Sequence, residues 1–130
     1  MARNRYTSTT LIQNTVRCTL VNSKKKFQKE LDRLGIDSSQ YPPFISNSSA
    51  SATTYFLFSG DDRIAIICMR KGKWTPAQRV SLLAHEVMHV WQDIKKDIGE
   101  DSPSEEFEAY AIQGIIQELL EINTWVLKMK

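Results

Sequence analysis

Both histidines of the chain fall in one five-residue string, His85-Glu86-Val87-Met88-His89. Side chains four apart on an α-helix stand one above the other on the same face. Two imidazoles so placed can converge on one metal ion, with the Glu86 carboxylate beside it to carry a proton. In a chain of 130 residues, an HExxH string arises by chance well under about one time in a hundred.

The neighbouring residues supply the helix. Val80, Leu83, Val87, Val90 and Ile94 form an apolar stripe at helical spacing, so one face of the segment belongs in a core. Thr75-Pro76-Ala77-Gln78 is a start signal, with Thr as N-cap, Pro at the first helical position and Gln three residues after the cap. The string therefore lies in the middle of a half-buried helix, where unpaired histidine and glutamate side chains are costly.

Two histidines are one ligand short of a catalytic zinc site, which has three protein ligands and keeps the fourth position for water. No third histidine exists, so the third donor is expected to be a carboxylate. The acid-rich segment Ser104-Glu105-Glu106-Phe107-Glu108-Ala109-Tyr110 opens the last predicted helix, Pro103 to about Lys128. Ser102-Pro103-Ser104-Glu105 has the form of a capping box, which gives Glu105 a structural role. Glu106 shares a polar stripe with Tyr110, Gln113 and Gln117, whereas Glu108 shares a face with the apolar Ile112, Ile115 and Leu119. A polar stripe on a buried helix suits the lining of a site, which favours Glu106, with Glu108 in reserve.

The rest of the chain must position these residues. The size suits one domain spanning 1–130, able to bury a modest core. Hydrophobic residues make up 42% and charged residues 25%, ordinary for a soluble globular protein. A net charge of +2 gives no argument for nucleic acid, and Lys24-Lys25-Lys26 and Lys95-Lys96 read as solvated helix faces. No apolar run approaches a membrane span, and the N-terminus lacks the apolar stretch of a signal peptide, so the expected compartment is the cytoplasm. Cys18 and Cys68 are then expected as free buried thiols.

Residues 1–14 read as a mobile arm, and Val16–Val21 as a strand. A helix is expected from Lys24 to Leu34, capped by Asn22 or Ser23 and stopped by Gly35. Residues 37–54 read as a loop, either a plain surface segment or one bordering the cleft. Residues 54–58 and 63–69 flank Ser59-Gly60-Asp61-Asp62 as a hairpin. The expected class is α+β: a small twisted antiparallel or mixed sheet packed on the HExxH helix and a C-terminal glutamate-bearing helix.

With these residues in view, the chain resembles the gluzincin metallopeptidases, which carry HExxH on one helix and a glutamate ligand on a second. Their second helix often carries Glu-x-x-Ala, and aligning on Ala109 places that glutamate at Glu106. The element order, and His85-Glu86-Val87-Met88-His89-Val90-Trp91-Gln92, further resemble compact, minimal gluzincins, among them small phage and prophage metallopeptidase-like proteins. The resemblance implies a zincin-like fold, zinc on His85, His89 and Glu106, Glu86 as general base, and hydrolysis of a peptide or protein substrate. Tyr110 stands where many relatives have an acid that orients the first histidine. It is a candidate for steadying the oxyanion, against a plain packed tyrosine. An extended substrate is expected to add to the strand at 54–58 or that at 63–69. Two other functions fit the same motif: a non-catalytic zinc-containing component of a phage or secretion system, and hydrolysis of a non-peptide amide.

Overall fold

The most apolar run of the chain, from Ile64 to Met69, forms the middle of the molecule. In the computed structural model, which describes residues 6–7, 16–47 and 49–129, it belongs to β3 (Asp62–Met69). On one side β3 pairs antiparallel with β2 (Ala52–Ser59), and on the other it pairs parallel with β1 (Arg17–Val21). The order β1-β3-β2 makes a three-stranded mixed sheet. Helix α1 (Lys24–Arg33) follows β1, and α2 (Pro76–Ile98) and α3 (Glu105–Ile122) follow β3. The fold is mixed α+β.

A strand buried on both faces has no need of alternating polarity, and β3 sends successive side chains to two different cores. Ala65, Ile67 and Met69 join Cys18 and Leu20 of β1 beneath Leu83, Val87, Val90, Trp91 and Ile94 of α2 and Ala111, Ile115 and Leu119 of α3. Ile64, Ile66 and Cys68 join Val21 beneath Phe27 and Leu31 of α1. Tyr55 of β2 stacks on Phe27 with ring centroids 5.4 Å apart.

The turns follow the sequence closely. Ser23 caps α1 by accepting from the Lys26 amide, and Gly35 closes it at φ 85°. Gly60 takes φ 63° in the two-residue turn between β2 and β3, a conformation open to glycine without steric cost. Strand β2 starts two residues earlier than the alternation alone suggests.

Three expectations need correction. Residues 6 and 7 do not belong to a mobile arm. The Tyr6 hydroxyl donates to the buried Glu30 at 2.9 Å, and Thr7 exchanges hydrogen bonds with the backbone of Cys18. The remainder of 1–14 lies outside the described residues. The last helix starts at Glu105, because Ser104 rather than Ser102 accepts from the amide three residues on, that of Phe107. Either serine could cap, and the start at Ser104 accompanies packing of Phe107 against Trp91. The same helix ends at Ile122. Asn123 folds its side-chain amide back on the Leu119 carbonyl, and a short 3-10 turn, Thr124–Leu127, follows.

That turn is tied to the start of α2 by Arg79. Its guanidinium donates to the carbonyls of Trp74 at 2.6 Å and Val126 at 2.8 Å, and to that of Lys128. Arg79→Ala is expected to cost about 2–3 kcal/mol in denaturant unfolding, since charge-assisted bonds are lost from a site that is 8% exposed. An unchanged midpoint would remove Arg79 from the fold's supports.

Cys18 and Cys68 are buried free thiols on opposite faces of the sheet, and burial pushes both well above the ordinary cysteine range. Both are expected to resist a thiol reagent in the folded protein and to react on denaturation. Isolation of the monomer with an internal disulfide would contradict this placement.

Candidate functional site

Helix α2 is fixed at both ends by its own sequence. The Thr75 hydroxyl accepts from the Gln78 amide at 3.1 Å, and the Gln78 side chain accepts from the Thr75 amide at 2.9 Å. Gly99 closes the helix at φ 72°. Between these caps, burial of the stripe from Leu83 to Ile94 sets the rotation of the helix. His85 and His89 are thereby left on the exposed side, their ring centroids 5.1 Å apart and their planes 78° to one another. His89 Nδ1 lies 3.2 Å from Gln92 Oε1.

Glu86 lies about 100° around the helix from His85, and this turns it toward the sheet. It is 7% exposed. The Thr54 hydroxyl, on β2, donates to its Oε1 at 2.5 Å. This is a short charge-assisted bond across 32 positions of sequence.

The histidines and Glu86 border a cleft between α2 and β2, in two adjoining lobes of about 560 Å³ each. Ala52, His85 and Glu86 are common to both. Trp74 and Leu82 line the lobe toward the start of α2. Thr53, Thr54, Phe56, Gln92 and Lys96 line the other, which Ser46 of the preceding loop borders. Ser46 and Ser51, from the segment before β2, thus border the cleft. Asp93 also faces this second lobe, but Arg63 of β3 donates to it at 2.8 Å and lies 3.6 Å from Asp97.

No residue of helix α3 lines the cleft with the histidines. The contact of α3 with α2 includes Trp91, whose ring stands edge-on to Phe107 with centroids 5.9 Å apart. The Trp91 indole N–H donates to Glu108 at 2.6 Å, and Lys95 lies 3.4 Å from the same carboxylate. These two partners, Trp91 before Lys95, hold the Glu108 carboxyl below the usual carboxylate range. Trp91 lies roughly 120–160° around α2 from the two histidines, and Glu108 does not line the cleft. Glu106, about 200° around α3 from Glu108, is exposed.

The polar stripe on α3 is a solvated face. Glu106, Tyr110, Gln113 and Gln117 are all exposed, Tyr110 to 62%. Tyr110 does not line the cleft. Glu105 sits in the first turn of a helix capped by Ser104, where its charge favours the helix dipole.

Two imidazoles one helical turn apart, opening on a cleft with a buried carboxylate beneath, fit the two-histidine part of a zinc site. Among the described residues no group of three or more His, Cys, Asp or Glu side chains is assembled that could hold a metal. The fit extends to His85 and His89 and stops there.

Thr54 and Trp74 line the cleft and were missed by sequence reasoning, as was Arg63, which holds Asp93 without lining the cleft itself. Alternation along β2 could have paired Thr54 with Ala52 and Phe56. Which face of β2 meets α2, however, is decided by its register on β3, Thr54 opposite Ile67. Compared with protein-family models, curated proteins and solved structures, the chain finds no match in any of the three.

Zinc titrations separate the two helices. The observed packing leads us to expect that His85→Ala and His89→Ala lose the metal, while Glu106→Ala and Glu108→Ala keep it. Glu108→Ala is expected to lower the melting temperature, because Trp91 and Lys95 lose their partner. A loss of zinc affinity by orders of magnitude in either glutamate variant would place α3 on the metal and overturn the packing described above.

Proposed function

We propose that the protein is a zinc-dependent hydrolase of peptide bonds, acting in the cleft between α2 and β2. One observation carries the reading: Glu86 is a nearly buried carboxylate beside two exposed imidazoles, held from behind by Thr54. A pair of histidines placed only to bind an ion has no need of a carboxylate between them that is withdrawn from water and kept in one orientation.

In this reading His85 and His89 hold the zinc, which when bound lowers the pKa of its water and polarises the scissile carbonyl. Glu86 receives the proton of the attacking water on Oε2, the oxygen that Thr54 leaves free, and returns it to the departing amine. The resemblance to gluzincins supports the same assignment of His85, Glu86 and His89. It also implies Glu106 as the third ligand and Tyr110 as an oxyanion partner; both are exposed on α3 and neither lines the cleft.

Among the described strands, one edge near this site is open to a substrate strand. Both edges of β3 are taken, by β1 and β2, which removes 63–69 as a docking strand. Among the described strands β2 is an edge, and Ala52, Thr53, Thr54 and Phe56 border the cleft. An extended chain adding to β2 would run past Glu86 with its carbonyls within the cleft.

A second reading is a zinc-binding component without catalysis; among the described residues no third donor is assembled with the two histidines. Glu86→Gln distinguishes the two. The amide matches the carboxylate in shape and cannot take a proton, so zinc is expected to stay while hydrolysis of a peptide library falls at least about 100-fold, within the range for general base catalysis. Cleavage at the wild-type rate would refute the peptidase mechanism. Wild-type protein that binds zinc yet cleaves neither peptides nor amide crosslinks would establish the binding component.

A further inference from the structure

We infer that Thr54 is a positioning residue for Glu86, setting which carboxylate oxygen faces the reacting water. The inference deepens the peptidase reading and rests on it for its catalytic consequence. Its structural part stands on the geometry alone.

A glutamate on a helix has three rotatable bonds and loses considerable rotamer freedom when fixed. A base that must meet one proton in one direction needs that freedom removed beforehand. Among the described residues one hydrogen bond restrains the Glu86 side chain, and it comes from the sheet rather than from α2: Thr54 Oγ1 donates to Oε1 at 2.5 Å. Threonine suits the task because its β-branched side chain is stiff about χ1. On a strand its hydroxyl is aimed by the backbone, which is pinned by pairing with Ile67 of β3. The donor is a hydroxyl with no charge of its own, so it orients the carboxylate without neutralising it.

The arrangement divides the carboxylate into two halves. Oε1 is engaged by Thr54 and Oε2 remains for the cleft. When a water O–H bond breaks, its proton is taken up on Oε2, and Thr54 keeps its own proton throughout. Thr54 touches neither substrate nor metal in this scheme and acts through Glu86.

Three variants test this in the full-length protein. Thr54→Val removes the donor and keeps the shape, Thr54→Ser keeps the donor, and Glu86→Gln assigns the Glu86 carboxyl resonance in protein labelled with 13C at glutamate carboxyls. In metal-free protein, the Glu86 resonance is expected to move and broaden in Thr54→Val and to stay near its wild-type position in Thr54→Ser. A resonance unaffected by Thr54→Val would overturn the inference whether or not any substrate is cleaved. With zinc and a cleavable peptide, kcat of Thr54→Val is expected to fall about 10- to 100-fold with KM little changed, and Thr54→Ser to recover most of it. Zinc affinity is expected to be equal in all three proteins. A kcat equal to wild type in Thr54→Val, or a loss that Thr54→Ser does not repair, would equally overturn the role. If wild type cleaves nothing, the peptidase reading fails, and the carboxyl resonance still decides whether Thr54 positions Glu86.

Discussion

The packing of α2 on the sheet governs everything else at the site. Leu83, Val87, Val90, Trp91 and Ile94 are all fully buried, four of them aliphatic side chains lying over Cys18, Leu20, Ala65, Ile67 and Met69. Burial of such side chains is worth on the order of 2 kcal/mol each, so rotating the helix by even one residue would expose several at once. The rotation of α2 is therefore locked by its apolar side. His85, Glu86 and His89 take whatever directions that rotation leaves them: two outward over the cleft, one down toward β2.

The same rotation decides the fate of α3. An 18-residue helix with its own apolar stripe, Ala111, Ile115 and Leu119, needs a partner. The partner available is the flank of α2 that carries Trp91. Trp91 has a bulky ring to bury and an indole N–H to satisfy, and Phe107 and Glu108 answer those two needs together. Once Glu108 is committed to Trp91, helix periodicity sends Glu106 to solvent.

Charge is distributed on the cleft with similar economy. Arg63 gathers Asp93 and Asp97 at the far end of α2 and lies over the Phe58 ring at 5.2 Å. The carboxylate nearest the two histidines along the helix after Glu86 is thus tied to the sheet. Glu86 is left with a neutral partner. A neutral hydroxyl restrains a base without quenching it, whereas a guanidinium at the same distance would oppose its protonation.

The sequence by itself determined the local elements and the chemistry they carry. The Thr75–Gln78 cap, the stops at Gly35 and Gly99, the hairpin turn at Gly60 and the apolar stripe of α2 depend on residues within a few positions of one another. Backbone preference and periodicity were enough to read them. The same is true of the His85-Glu86-His89 cluster, because one helical turn suffices to bring the pair of imidazoles together. What lay beyond it was any contact made between elements. Ser102 and Ser104 are equal as caps until Phe107 meets Trp91. The stripe Glu106-Tyr110-Gln113-Gln117 looks the same whether it lines a site or faces water, until α3 chooses its flank of α2. Thr54 is one threonine among several until the register of β2 on β3 sets it beneath Glu86. Only the tertiary structure decided these, because each depends on which of two chemically similar faces is buried, a choice made by the whole core at once.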